Sequence, residues 1–159
     1  MNVQVLSVGK LKEKFYLQAC AEYEKRLAPF CRLTVTELAE ERLPAEPSEA
    51  QIKAALRREA QALRAKIPQG AAVVALCIEG ELRSSEELAG LFRRWEVEAP
   101  KGVVLVIGSS FGLDEDLKRE AKLRLSMSPM TFPHHLARVM VLEQLYRAFQ
   151  INSGGKYHK

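Results

Sequence analysis

The chain has 159 residues, 47% of them hydrophobic and 28% charged, a composition typical of one soluble globular domain covering residues 1–159. It contains no apolar run near the roughly 20 residues that a membrane-spanning helix needs, and its opening does not resemble a secretory signal, so we expect a cytoplasmic protein. The net charge of +4 permits an anionic partner but is small for a dedicated nucleic-acid binder.

The sequence alternates short β-rich runs with longer helical patterns. It predicts strands at 3–9, 32–39, 71–80, 102–108 and 123–128, and helices at 11–29, 47–67, 84–99, 113–121 and 134–152. Ser48, Ser84 and Asp114 are the predicted helix N-caps, and Gly154 and Gly155 end the last helix. Five strands alternating with five helices predict a single α/β domain, with a mostly parallel five-stranded sheet and helices on both faces.

The predicted ligand site lies beyond the carboxyl ends of the strands, where open parallel sheets bind ligands. Three such ends stand out in the second half of the chain: CIEG (77–80), VIGSSFG (106–112) and SMSPMTF (126–132). The glycines Gly108 and Gly112 suit a sharp turn close to a ligand, yet their spacing matches neither a dinucleotide fingerprint nor a P-loop. The 126–132 loop suits an apolar slot for a flat ring. Ordinary strand-to-helix connections explain both loops equally well.

All three histidines lie in the final stretch, FPHHLARVMVLEQLYRAFQINSGGKYHK. His134 and Arg138 share one face in the first turns of the last helix, where a cation pair opposes the helix dipole and favours an anionic partner. A solvated surface pair is the alternative interpretation. The three widely spaced cysteines indicate neither disulfides nor a zinc site, and we expect no metal. The residues alone indicate an anion-friendly pocket without specifying a reaction.

The runs LVIGSSFGL and LSMSPMTFPHHLARVMVLEQLYRAFQINSGGKYHK, with the opening VQVLSVGKLKEKF, resemble the ribosomal large-subunit methyltransferase H family over the whole chain. These proteins are small members of the SPOUT class of α/β-knot methyltransferases. The resemblance implies an enzyme that uses S-adenosylmethionine to methylate N3 of a pseudouridine in 23S ribosomal RNA, on the assembled ribosome. It also implies a homodimer and a trefoil knot in the C-terminal third.

The resemblance also implies the site residues. The cofactor pocket falls on Leu76, Gly108 and the loop formed by Met127, Ser128, Pro129, Met130, Thr131 and Phe132. Ser109 departs from a second glycine common in the family, and a serine would be strained there if its φ were positive.

The groups that the resemblance makes available for the chemistry at N3 are His134, Arg138, Tyr157 and His158. Tyr157 and His158 are predicted to act on the partner subunit's substrate, and Arg138 to contact phosphate or the developing oxyanion. Two alternatives are a knotted transfer-RNA methyltransferase and a non-catalytic RNA or ribosome binder with the same fold.

Overall fold

The computed structural model describes residues 1–159 and confirms the predicted alternation of strands and helices. The elements are β1 (Asn2–Val8), α1 (Lys14–Leu27), β2 (Arg32–Leu38), α2 (Glu49–Arg64), β3 (Ala72–Leu82), α3 (Ser85–Glu98), β4 (Val103–Ile107), α4 (Glu115–Glu120), β5 (Leu123–Ser126) and α5 (His134–Asn152). The predicted bounds of α5 agree with the structure, and those of the other nine elements differ by one to three residues. None of the helices is long and apolar enough to cross a membrane.

The three predicted N-caps are confirmed. The side-chain oxygens of Ser48, Ser84 and Asp114 each accept a hydrogen bond from a backbone N–H in the first turn of their helix. In α2 and α3 the partner residues, Gln51 and Glu87, also accept from the backbone N–H of the capping serine, which completes a capping box. These local bonds fix where α2, α3 and α4 begin after their loops.

The five strands form one sheet in the order β2-β1-β4-β3-β5, and every strand pairing is parallel. Helices cover both faces, as predicted. On one face Leu27, Trp95 and Leu142 bring α1, α3 and α5 into the larger core cluster. On the other face Leu63 and Leu117 bring α2 and α4 into a second cluster. Because all strands run in the same direction, their carboxyl ends meet along one edge of the sheet. The trefoil knot stays a prediction.

The continuous apolar run at 71–80 predicts a strand that is buried on both faces, and β3 differs from this prediction. Only its first half is buried, and the strand continues to Leu82, whose side chain is 62% exposed. After Leu76 its pairing with β5 shifts, so that Leu125 faces both Leu76 and Glu81. The stretch between these two pairings includes Glu79 and Gly80, which lack the apolar side chains of a core strand. This irregular stretch therefore lies at the sheet edge where the strands end.

Candidate active site

A cavity of about 680 Å³ lies at the carboxyl edge of the sheet and is lined by all three strand ends singled out in the sequence. This volume falls in the range of about 300–1,000 Å³ that is usual for small-molecule sites. Seven of the eight residues predicted to hold a cofactor line this cavity: Leu76, Gly108, Met127, Ser128, Met130, Thr131 and Phe132. The eighth, Pro129, does not line it. The structure therefore brings the predicted residues together, although their binding role stays a prediction.

The turn after β4 forms one wall of the cavity. Gly112 has a φ of +87°, and its N–H donates to the carbonyl oxygen of Ser109 over 2.9 Å. A Cβ on Gly108 would lie 2.2 Å from the carbonyl oxygen of Gly112, so the turn excludes any side chain there. No residue other than glycine has a positive φ, and Ser109 is therefore unstrained. Its hydroxyl donates to Glu59 Oε1 (3.3 Å), not to the cavity.

The loop after β5 forms the opposite wall. Ser126 Oγ donates to the carbonyl oxygen of Ser128 (3.0 Å), and Ser128 Oγ accepts from the N–H of Met130 (3.0 Å). The N–H groups of Thr131 and Phe132 make no hydrogen bond within the chain. Unpaired backbone donors beside apolar side chains are what a flat heteroaromatic ligand requires. The loop therefore lines a cavity, and its use as a slot for a flat ring stays a prediction.

A polar wall at the end of β3 was missed by the sequence analysis. Lys118 of α4 is only 7% exposed, and its Nζ contacts the carboxylates of Glu79 (2.5 Å) and Glu115 (2.6 Å). The hydrogen bond from Lys118 lowers the pKa of Glu79. Lys118 and Glu79 both line the cavity. In the sequence, Lys118 is one charge among many on a short charged helix, and no spacing marks it.

His134 is the one predicted catalytic residue that lines the cavity. Burial lowers its pKa below the ordinary value of 6.5, and the neighbouring His135 lowers it further, whereas Glu40 opposes the shift. The two imidazole rings lie 4.1 Å apart at the start of α5. The lowered pKa keeps His134 mostly neutral at pH 7, so one of its ring nitrogens can accept a proton.

Arg138 does not reach the cavity. Its side chain is 4% exposed and donates to Glu37 Oε2 (2.9 Å), Ser7 Oγ (3.2 Å) and the carbonyl oxygen of Gly9 (3.2 Å). The anion expected beside Arg138 is thus Glu37 of the same chain, which no sequence motif marked. The structure corrects the interpretation of Arg138 as a free cation awaiting an anion, because it joins α5 to the ends of β1 and β2.

Tyr157 and His158 follow α5 in the sequence, and they fold back against the middle of this helix and the first turn of α3. The Tyr157 hydroxyl donates to Glu143 Oε1 (3.1 Å), and His158 pairs through Nε2 with Glu86 Oε1 (2.8 Å). Burial, followed by hydrogen bonding that includes Glu143, raises the pKa of Tyr157 to about 12. Neither tail residue lines the cavity of its own chain.

A second opening, of about 850 Å³, lies at the opposite edge of the sheet among Met1, Phe30, Arg32 and Gly102. It surrounds the beginnings of the strands, and neither of the predicted ligand loops contributes to it. Ligands of open parallel sheets bind at the carboxyl edge. We therefore assign the candidate site to the cavity at that edge.

Comparison with known proteins connects this geometry to a family. The family described as "Predicted SPOUT methyltransferase" matches residues 1–158. Proteins named "Ribosomal RNA large subunit methyltransferase H" from Clostridium novyi (strain NT) and Bacillus pumilus (strain SAFR-032) are 42% and 43% identical, with both chains covered completely. A solved probable methyltransferase from Bordetella pertussis Tohama I superposes with a TM-score of 0.53 at 20% identity, over 93% of this chain and 96% of that one. That structure supports the fold.

Proposed function

The chain belongs to the SPOUT methyltransferase family, with full-length relatives named ribosomal RNA large subunit methyltransferase H, and on this premise we propose that it methylates N3 of a pseudouridine in 23S ribosomal RNA. The observation that carries the proposal is the cavity at the carboxyl edge, where the loops that define the resemblance meet. The methyl donor is S-adenosylmethionine, and the family relationship and the shape of the cavity both support this cofactor.

The residues of the cavity fit S-adenosylmethionine. Its adenine ring suits the slot between Leu76 and the 127–132 loop, where the N–H groups of Thr131 and Phe132 are free to donate to ring nitrogens. The turn from Gly108 to Gly112 lets backbone approach the ligand closely. When bound, S-adenosylmethionine supplies an electrophilic methyl group, so the protein needs only to orient the target base and remove its proton.

Of the proton acceptors that line the cavity, Glu79 is already paired with Lys118, which leaves the neutral imidazole of His134 for the proton on N3 of the base. As the proton leaves, negative charge spreads over the carbonyl oxygens on either side of N3. Tyr157 suits the stabilisation of that charge, because a phenol, with an ordinary pKa of about 10, stays protonated at pH 7 and donates a hydrogen bond. His158 offers a second donor on the same tail.

The tail can serve this role only in a homodimer. In their own chain Tyr157 and His158 lie against Glu143 and Glu86, and neither lines the cavity. A second copy with its α5 antiparallel to the first would place the partner's tail beside the cavity. Apolar side chains exposed on the neighbouring α1, Phe15 at 63% and Leu17 at 46%, are consistent with such a contact.

The net charge of +4 is too small to give strong binding to free RNA by electrostatics alone. We therefore propose that the substrate is the assembled ribosome in the cytoplasm, where shape complementarity over a large surface adds to the affinity.

The test combines two measurements on the purified chain. Calorimetric titration with S-adenosylmethionine, alongside the mass in solution, should give saturable binding to a dimer. Tritiated methyl transfer should then label ribosomes that lack the modification, and neither transfer RNA nor free 23S RNA at a comparable rate. Preferred labelling of transfer RNA would favour the first alternative, and absence of cofactor binding would favour a non-catalytic ribosome binder.

A further inference from the structure

A buried carboxylate behind the cavity has no part in the proposed chemistry. Glu59 lies on α2 with 5% of its surface exposed, and no lysine, arginine or histidine pairs with it. Burial raises its pKa, and the nearby Glu40 and Glu41 carboxylates act in the same direction. An unpaired buried carboxyl group is costly unless hydrogen bonds satisfy it. The two hydrogen bonds of Glu59 must therefore offset the cost of burying its carboxylate.

The two oxygens of Glu59 bind two different loops. Oε1 accepts from the Ser109 hydroxyl (3.3 Å), and Oε2 accepts from the backbone N–H of Glu41 (2.9 Å) in the connection between β2 and α2. Ser109 is part of the turn that lines the cavity, and its carbonyl oxygen also accepts from the N–H of Gly112. A single side chain thus ties the cofactor turn to a neighbouring loop.

The second loop also borders the site. Its Glu40 Oε2 and the His134 Nε2 lie 3.7 and 3.5 Å from the point where a Cβ on Gly9 would stand. The carboxylate of Glu40 raises the pKa of His134, against the dominant effect of burial. Movement of this loop would therefore be felt at the proposed proton acceptor as well as at the cofactor turn.

We propose that Glu59 is a positioning residue that holds the turn from Gly108 to Gly112 in the shape that binds the cofactor, acting through the hydroxyl of Ser109. Glu59 itself does not line the cavity, so it acts on the ligand only through the loops it joins. This inference rests on the proposed function, because the ligand of the turn is S-adenosylmethionine.

The consequence is a specific pattern of kinetic effects. Without the bond between Ser109 and Glu59, the turn samples other conformations, and cofactor binding must restore the order. The net value of one such hydrogen bond corresponds to about a three- to tenfold weaker affinity. At saturating cofactor the turn is already ordered, so kcat changes by no more than about twofold.

The experiment measures the Kd of S-adenosylmethionine by calorimetry, and its KM and kcat with ribosomes lacking the modification, for Ser109→Ala, Glu59→Leu and the double variant. Each single variant should raise Kd and KM about three- to tenfold. The Kd of the double variant should be no higher than that of the single variant with the weaker affinity, because both changes remove the same bond. Ser109→Thr, which keeps a hydroxyl, should restore most of the affinity. Glu49→Leu, which changes an exposed glutamate on the same helix, is the matched control and should bind as the wild type does.

Single variants with wild-type Kd, or a double variant whose effect is the product of the two, would overturn the inference alone. A fall in kcat with unchanged Kd would also overturn it, since that pattern places Glu59 in the chemical step. A wild-type chain that binds no S-adenosylmethionine would overturn the proposed function and this inference together. Thermal melting of each variant confirms that titrations are made on folded protein.

Discussion

The cavity at the start of α5 and the tail that follows its last residue present different kinds of site. At the beginning of α5, the cavity is walled by β4, whose five residues are all buried, and by turns fixed through close backbone contacts. After its end, Tyr157 and His158 fold back onto the surface of the same chain, where they contact Glu143, Arg147 and Glu86. The cavity is therefore formed rigidly within one chain. The tail is held weakly enough to exchange its contacts for contacts with a second subunit.

This difference implies that cofactor binding and methyl transfer depend on different parts of the molecule. Partly exposed contacts such as those of the tail contribute little to stability, so exchanging them for contacts in a dimer costs little. A single chain holds a complete cofactor pocket, but that pocket contains only some of the residues that are proposed to act on the substrate. Cofactor binding should therefore be insensitive to the tail, and methyl transfer should depend on both regions.

Deletion of Tyr157 to Lys159 tests this separation most directly. Methyl transfer to ribosomes should fall by about 10³-fold or more, because the donors near the developing charge are lost. The Kd of S-adenosylmethionine should stay within about twofold of wild type, since no deleted residue lines the cavity. Calorimetry and a tritium-transfer assay measure the two quantities. Equal losses of affinity and turnover would contradict the division between the cavity and the tail.

A damaged cavity should give the opposite pattern. In Gly108→Ala the new Cβ would stand 2.2 Å from the carbonyl oxygen of Gly112, so the turn must move. Affinity for S-adenosylmethionine should fall by about 100-fold, equivalent to roughly 2.7 kcal/mol. Gly90→Ala on α3 is the matched control, because its Cβ meets nothing within 4 Å. That change should leave binding intact and raise stability by about 0.5–1 kcal/mol.

The two defective chains can be combined. A mixed dimer of the tail deletion and Gly108→Ala has one intact cavity and, on the other subunit, one intact tail. If the tail acts across the dimer, equal mixing should recover about a quarter of wild-type activity, because half of the dimers are mixed and each has one complete site. If each tail serves its own chain, no activity should return.

A substitution of Arg138 tests whether this residue has a structural or a catalytic role. Arg138→Met removes three hydrogen bonds and leaves Glu37 without its cation. The free energy of unfolding should fall by about 2–4 kcal/mol, with the cost limited by the partial exposure of Glu37. Urea denaturation measures this, with Arg119→Met on the surface as a control that should change stability by less than about 0.5 kcal/mol. Unchanged stability with lost turnover would restore the predicted direct contact of Arg138 with the substrate.

The same contrast explains what the sequence could predict. Local signals determined α5, since Pro133 precedes its first residue and Gly154 follows its last turn, and the buried run of β4 was equally clear. The location of the cavity followed from strand ends in a parallel sheet. The partner of Arg138 did not, because Glu37 lies 101 residues away and becomes its neighbour only when β1, β2 and α5 pack together.

Other features of the site depend on tertiary structure in the same way. The end of β3 was predicted as a buried strand because its apolar run gives no sign of the shift in pairing after Leu76. Lys118 and Glu79 carry charges that resemble those of any solvated surface. Glu59 is one of several charged residues on α2, and only the fold shows that it is buried against Ser109.

The smallest predicted effect concerns pH at the cavity end of α5. His134 has a folded-state pKa below 6.5, because burial and the proximity of His135 and Arg138 outweigh the opposing charges of Glu40 and Glu13. The unfolded chain then binds more protons, so this residue's contribution to stability is fully present above pH 6.5 and is lost as the pH falls toward the folded pKa.

If neutral His134 accepts the proton from N3, turnover should reach a plateau above pH 6.5 and fall by less than about tenfold between pH 7.5 and 5.5. Initial rates of wild type and His134→Gln over this range test the assignment. A variant that is slower at pH 7.5 and has lost the acid limb supports His134 as the acceptor, whereas an unchanged limb would move that role to another residue, with His158 of the partner's tail the next to be tested.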